Sequence, residues 1–223
     1  MTALDELVPP DGWSRRPLRE LCESIQAGPN RRAGEMRRTQ ADGGVPLVLP
    51  RDLRGQRIDT AEAAAVPAIP WERARELAGY ELTAGDILLT RTGTAGRCAL
   101  VTQEHAGWLF HSNLVRLRLP EARRNEAAYL VAYLSATSAQ DWIASRTAGG
   151  VIPSLSIRTL GELPVLLPPA GEQARIGAVL AALDDKIQAH TDIARATRAY
   201  RATLAEALMN GLLRPGDDPP VPS

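Results

Sequence analysis

The chain has almost no lysine. Of its 26 basic residues, Lys186 is the single lysine and the other 25 are arginine. GC-rich coding DNA accounts for that bias without any functional cause. The scarcity still removes two chemistries. No Gly-Lys-Ser/Thr phosphate loop occurs. A paired-carboxylate phosphodiesterase wants a lysine near its acids, and Lys186 sits beside Asp184 and Asp185 in a helical stretch, where the three read as a polar face. Cysteine is scarce too. Cys22 and Cys98 stand far apart without metal-type spacing, so no disulfide framework or zinc site is expected, and a reducing cytoplasm is the default. Aromatics make up 4% of residues, which leaves little for stacking single-stranded bases. No apolar run of about 18 residues exists to span a membrane. The opening MTALDELVPPDGW lacks the basic and apolar regions of a signal peptide. Neither a Gly-x-Ser-x-Gly elbow nor an adenosyl-methionine loop with Asn-Pro-Pro-aromatic is found. Net charge is zero, which by itself is no nucleic-acid signature.

Length and charge distribution carry more information. One compact domain plus an extension suits 223 residues. The charge is uneven: Ser14 to Arg158 holds 20 Arg against 15 Asp and Glu, a net of +5, and the rest is −5. A domain of that sign suits a protein that meets DNA with a partner beside it.

The dominant stretch runs from Leu163 to Leu213. A short apolar run, Val165 to Leu167, is stopped by Pro168 and Pro169, which suit a first helical turn. No proline follows from Ala170 to Leu213, and Ile176, Leu180, Leu183, Ile187, Ala194, Leu204, Leu208 and Leu212 recur near the helical period. As one helix this would reach roughly 65 Å, at about 1.5 Å per residue. Its stripe must be buried against another helix or chain. His190, Thr197 and Arg201 thin the stripe, so a break into two helices is an open alternative.

Upstream, Met1 to Gly12 reads as a loose leader, and Trp13 to Ala27 as a strand entry followed by a short helix with Leu18, Leu21, Cys22 and Ile25 on one face. Gly28 to Gly44 has no apolar period and carries Arg31, Arg32, Arg37 and Arg38. It is either a solvated loop or one that lies along phosphates or enters a groove. Arginine suits both phosphate pairing and guanine readout. Short strands are expected at Val45–Leu49 and Gln56–Asp59 around a turn holding Arg54, then an alanine-rich connector from Ala61 to Pro70 and a helix from Trp71 to Gly79. Strands at Ile87–Thr90 and Arg97–Thr102 flank a hairpin-like turn containing Arg91, Thr92 and Thr94. Its Gly93 and Gly96 could exist only to turn the chain, with Arg91 in an internal ion pair. From Leu114 to Leu119 the pattern alternates as in a half-exposed strand with Arg116 and Arg118 outward. His111, Ser112 and Asn113 precede it as polar residues fit to read bases. Asn125 to Ser145 is helical, ended by Gly149 and Gly150, and Ser154 leads into a short helix carrying Arg158. The tail after Arg214 reads as disordered.

Taken in order, these motifs resemble the specificity (S) subunits of type I restriction–modification systems. The resemblance rests on Pro168, Pro169, Glu172, Gln173, Ile176, Leu183, Asp184 and Ile187 in the helical region. It rests equally on Gly85, Asp86, Ile87, Leu88, Arg91, Gly93 and Gly96 in the strand–turn region. Gly12, Trp13, Leu18 and Gly28 at the start, Asp52 and Leu53, and Gly150, Ser154, Leu155 and Leu163 match further positions.

The resemblance implies an α/β fold: a leader (1–11), one globular target recognition domain with a mixed curved sheet (12–167), a long helical coiled-coil arm (168–213) and a tail (214–223). It implies a non-catalytic subunit that recognises double-stranded DNA and directs a partner adenine methyltransferase. That partner supplies the adenosyl-methionine; this chain binds no cofactor. A restriction or translocase subunit is a further partner it allows. Typical S subunits carry two recognition domains and two helical regions, and this sequence has one of each. The expectation is therefore a homodimer through Ile176, Leu180, Leu183, Ile187, Leu204 and Leu208, reading inverted half-sites, with a split subunit whose other half is a different chain as the alternative. Candidate DNA contacts are Arg31, Arg32, Arg37, Arg38, Arg54, Arg91, Thr92, Thr94, His111, Asn113, Ser154 and Arg158. A coiled-coil assembly adaptor without DNA binding is the alternative that the balanced total charge leaves open.

Overall fold

The computed structural model describes residues 2–29, 43–60, 66–147 and 153–214. The chain forms two compact units, residues 1–181 and 182–223. In order, the elements are α1 (Ala3–Glu6), β1 (Ser14–Pro17), β2 (Ser24–Ala27), β3 (Val45–Val48), β4 (Leu53–Arg54), β5 (Arg57–Ile58), β6 (Ala68–Ile69) and α2 (Trp71–Glu76). There follow β7 (Ile87–Thr90), β8 (Cys98–Leu100), β9 (Leu109–Phe110), β10 (Leu114–Arg118), α3 (Ala127–Ser135), α4 (Thr137–Arg146), α5 (Ile157–Gly161), β11 (Pro164–Leu167) and α6 (Ala170–Met209). This is the mixed α/β architecture expected, with a long C-terminal helix.

The main sheet is antiparallel in the order β2-β10-β7-β8. Leu117 faces Ile25 on one side and Ile87 on the other. A second sheet, β6-β3-β9, joins β3 to β9 in parallel, Leu47 opposite Leu109, which makes the sheets mixed. Alternation along the central strands sorts the core. Ile87, Leu89, Val115 and Leu117 pack with Leu130, Leu134 and Trp142 of the helices. Leu88, Leu114 and Ala99 point the other way, onto Val48 and Phe110.

That second layer corrects one expectation. The period of two in β10 is real, but its far face meets protein instead of water. Arg116 is 4% exposed. Its guanidinium donates to Glu81 O at 2.9 Å and Gln26 Oε1 at 2.5 Å, and lies 5.7 Å from the centre of the Phe110 ring. Burial lowers its pKa from the ordinary arginine value.

Other expectations also give way. Leu18–Glu20 is a single 3-10 turn, and the helical spacing from Leu18 to Ile25 is a coincidence, because pairing with β10 draws Ser24–Ala27 into a strand. The segment from Asn125 to Ser145 is broken at Ala136, an extended residue between α3 and α4. The leader is not loose. Leu4 is buried, and the Asp5 carboxylate receives hydrogen bonds from Thr2 N (2.7 Å), Trp142 Nε1 (2.9 Å) and Arg146 (2.9 Å). These contacts, the Thr2 backbone foremost, hold Asp5 well below the usual carboxylate range. The connector before α2 contains β6, paired to β3.

The long helix is continuous for 40 residues. His190, Thr197 and Arg201 do not break it, since polar residues cost a helix little and no proline interrupts it. Gly211, with φ +69°, follows its end. At its start Gly177 lies so close to α3 that a Cβ there would stand 2.8 Å from Tyr129 N, and Ile176 packs on the core. Tyr129 Oη donates to Leu166 O at 2.6 Å and Tyr133 Oη to Pro164 O at 3.0 Å, fixing β11 beneath α3.

Both thiols are quiet. Burial pushes Cys22 up to about 12 and Cys98 up to about 11. Cys98 Sγ lies 3.6 Å from Val131 O and 3.2 Å from Ser135 Oγ. Iodoacetamide at pH 8 should leave both unmodified in the folded protein and alkylate both in urea, as read by intact mass. Labelling of Cys98 in the native state would mean that α3 does not seal β8. No helix among the described residues is long and apolar enough to cross a membrane.

Candidate nucleic-acid interface

At the end of β7 the chain turns through residues 91–96 into β8. Gly93 and Gly96 take left-handed φ values of +74° and +103°, which a side chain would strain. Thr90 closes the turn: its hydroxyl donates to Thr94 O at 2.5 Å and its carbonyl accepts from Gly96 N at 2.9 Å. Gln140 of α4 then clamps it, donating through Nε2 to Gly96 O at 2.9 Å.

Two further segments knit onto the same turn. Leu155 N donates to Arg91 O at 2.8 Å and Gly93 N to Pro153 O at 3.2 Å, which places Ser154 opposite Thr92. Arg91 N donates to Asn113 O at 2.9 Å, and Asn113 N to His111 Nδ1 at 3.0 Å. His111 N reaches Val48 O at 3.0 Å, and Gly28 N reaches Leu114 O at 3.0 Å. Arg91, Thr92, Thr94, His111, Asn113 and Ser154 thus share one end of the main sheet, although they lie up to 63 positions apart in sequence, from Arg91 to Ser154.

The chemistry of this patch is unfinished. Arg91 Nε and Thr92 Oγ1 are buried atoms without a hydrogen-bond partner. Arg91 has no acidic partner among the described residues. Buried donors left unmade are costly unless a ligand completes them. Thr94 and Asn113 are exposed; Arg91, Thr92, His111 and Ser154 are half-buried. The patch offers donors, an amide and hydroxyls, a set fit for phosphates and base edges.

The remaining candidates fall elsewhere. Arg31, Arg32, Arg37 and Arg38 lie outside the described residues, as do Gly149 and Gly150. Arg54 is exposed on the β4–β5 hairpin, its Nε donating to Arg51 O at 3.1 Å. Arg158 is exposed in the first turn of α5, which Ser156 caps by accepting from Thr159 N at 2.9 Å. On α6, Leu183 (53%) and Ile187 (62%) are exposed, as are Leu180 and Leu208 to a lesser degree; Leu204 is half-buried and Ile176 is partly used by the core.

Asp86, a motif residue, proves to be a lock at the opposite end of β7. It is 2% exposed and accepts from Thr83 N at 2.8 Å and from Arg118 Nε and Nη2 at 2.7 Å each. The carboxylate raises the pKa of Arg118. Arg118, expected to face outward, is thereby committed to the fold. Among the described residues no group of three or more His, Cys, Asp or Glu is placed to hold a metal ion.

A family model described as the type I restriction modification DNA specificity domain matches residues 10–196. The chain belongs to this family. A DNA specificity domain serves target recognition and is not catalytic. Solved structures agree in fold. A chain from a study of complex assembly and conformational transition of the type I R-M system is 19% identical with a TM-score of 0.63, over 97% of this chain and 49% of that one. The type I S subunit from M. genitalium gives 15% identity and a TM-score of 0.61, over 91% and 48%. The HsdS subunit from Thermoanaerobacter tengcongensis gives 18% and 0.53, over 96% and 53%. The specificity domain described here therefore spans about half the length of these structures. No curated protein matches the sequence.

Two further residues carry no functional signal in the sequence. Arg97, expected to begin a strand, lies just before β8, exposed and with its side chain without a partner among the described residues. Gln56 has a left-handed backbone that no sequence signal announces, because Gly55 beside it suffices for a turn.

Proposed function

We propose that this chain reads a double-stranded DNA sequence and directs a partner adenine methyltransferase to it, acting as a homodimer joined through α6. The observation that carries the reading is the end-of-sheet patch, where a buried Arg91 Nε and Thr92 Oγ1 lack partners in a member of a DNA specificity family. Arginine is the residue suited to both phosphate and guanine. The patch therefore supplies positioning and readout together, and methylation belongs to the partner, which brings adenosyl-methionine. A restriction or translocase subunit joins where the system cleaves. Candidates Arg31, Arg32, Arg37, Arg38, Arg54 and Arg158 supply phosphate contacts.

The dimer reading draws on α6. Leu183 and Ile187 leave an apolar stripe in water, which a second α6 would cover. Two inverted half-sites at a fixed spacing are the matching DNA target.

Light-scattering mass, alone and with a methyltransferase subunit, tests this. The expected value for the chain alone is about twice 24.0 kDa. Leu183→Glu with Ile187→Glu should return it to the chain mass while leaving the recognition unit folded. DNA retention by the complex should fall steeply with salt, because phosphate contacts release counterions. A monomer that retains no DNA at low salt, even with the methyltransferase, would point to the assembly adaptor instead.

A further inference from the structure

We infer that the tip of the β4–β5 hairpin is a second sequence-reading element, with Gln56 reading a base edge and Arg97 anchoring a phosphate beside it. This rests on the DNA-recognition reading above and extends it to residues outside the end-of-sheet patch.

The backbone comes first. β4 and β5 pair Leu53 with Ile58 and Arg54 with Arg57, leaving Gly55 and Gln56 as a two-residue turn. Both are left-handed, at φ +53° and +63°, as a type I′ hairpin turn demands. Gln56 is the one non-glycine in that region among the described residues. Glycine is the favoured residue at this second position, and a glutamine there is strained.

The surroundings hold the strained residue in place without asking for a side chain. Leu100 N donates to Gln56 O at 3.0 Å, and Gln56 bridges Ala99. Leu53 and Ile58 are buried and pin the hairpin stem. A glycine carbonyl would accept the same hydrogen bond without strain. Backbone needs therefore do not explain the glutamine. Its side-chain amide has no partner among the described residues, so the fold does not use that either. Strain that persists while its side chain stays unused marks a functional position.

The tip borders an open cleft of about 400 Å³ lined in part by Arg54, Gln56, Gly96, Arg97 and Gln140. No Asp or Glu among the described residues lines it. Gln140 fixes Gly96, and a Cβ at Gly96 would stand 2.6 Å from Gln140 Oε1, so the turn that presents Arg97 is rigid. A glutamine amide on a two-stranded ribbon matches the adenine edge in the major groove, one donor and one acceptor side by side. A neighbouring arginine whose side chain has no partner among the described residues suits the phosphate.

The test is selection from random-sequence duplexes by the full-length chain with its methyltransferase subunit, together with thermal melting. Gln56→Gly should melt at the same temperature or higher, because it relieves the turn. Its selected motif should lose one position per half-site, where the wild-type preference of roughly 5- to 150-fold disappears. Arg97→Ala should keep the motif, bind every sequence more weakly and lower the salt slope by about 1. An unchanged motif in Gln56→Gly, or a lower melting temperature, overturns the assignment of Gln56. An unchanged salt slope in Arg97→Ala overturns that of Arg97. If the wild-type complex selects no motif at all, the DNA-recognition reading itself has failed.

Discussion

Gly28→Ala should destabilise the domain by about 3 kcal/mol, the upper end of what overpacking usually costs. Its added Cβ would stand 2.3 Å from His111 O, 2.5 Å from His111 C and 2.7 Å from Phe110 O. All three are backbone atoms. Phe110 is paired to Val48 in β9, and His111 N is bonded to Val48 O, so nothing there is the free end of a side chain. Gly28 itself has no left-handed φ, so the cost is entirely one of space. Gly93, on the same patch, is the opposite case. It has φ +74° and nothing within 4 Å of a built Cβ, so Gly93→Ala should cost only about 1–2 kcal/mol of backbone strain. Urea unfolding separates the two: the midpoint for Gly28→Ala should drop by roughly 1 M or more. The alanine also pushes on the 111–113 turn, so DNA binding should weaken even well below the melting temperature. Unchanged unfolding would mean that the approach of β2 to residues 110–111 is looser than described.

The same contact shows what could and could not be read beforehand. The strands Ile87–Thr90 and Pro164–Leu167 and the helix from Ala170 were legible because each is an apolar run or period bounded by Gly or Pro. β6 and β9 were not. Each is two residues long and exists only by pairing with β3, β9 from about 60 positions away, so no local signal precedes it. β2 was misread because Leu18, Leu21, Cys22 and Ile25 have helical spacing by chance. Arg116 looked solvated because alternation says which residues share a face, and not what covers that face. The patch residues Arg91, Thr92, Thr94, His111, Asn113 and Ser154 could each be named from local pattern. Their meeting could not, because it depends on the bonds from Arg91 to Asn113 and Leu155. Gln56 stayed hidden because its distinction is a backbone angle, not a motif.

Asp86→Ala should be comparably damaging for a different reason. The substitution takes two bonds of 2.7 Å from the Arg118 guanidinium, leaving it only the 3.1 Å bond to Glu81 O and no counter-charge, and leaves Thr83 N without its acceptor. Removing one partner of a fully buried pair costs about 3–5 kcal/mol. The Arg118 side chain keeps 23% exposure and can recover some water, so about 2–3 kcal/mol is expected by the same measure. Arg118→Met should cost a similar amount, since it leaves a carboxylate buried with one amide donor. Replacing both, Asp86→Leu with Arg118→Met, should cost less than the two single changes summed, because neither charge is then stranded. Strict additivity would mean that the two do not act as a unit. The binding consequence separates this lock from the patch. Arg118 lies beside the start of β7, and Arg91 beyond its far end, so loss of Asp86 acts on stability alone. At temperatures where the variant is folded, its DNA affinity and salt slope should match the wild type, whereas Arg91→Ala should reduce both without moving the unfolding midpoint by a comparable amount.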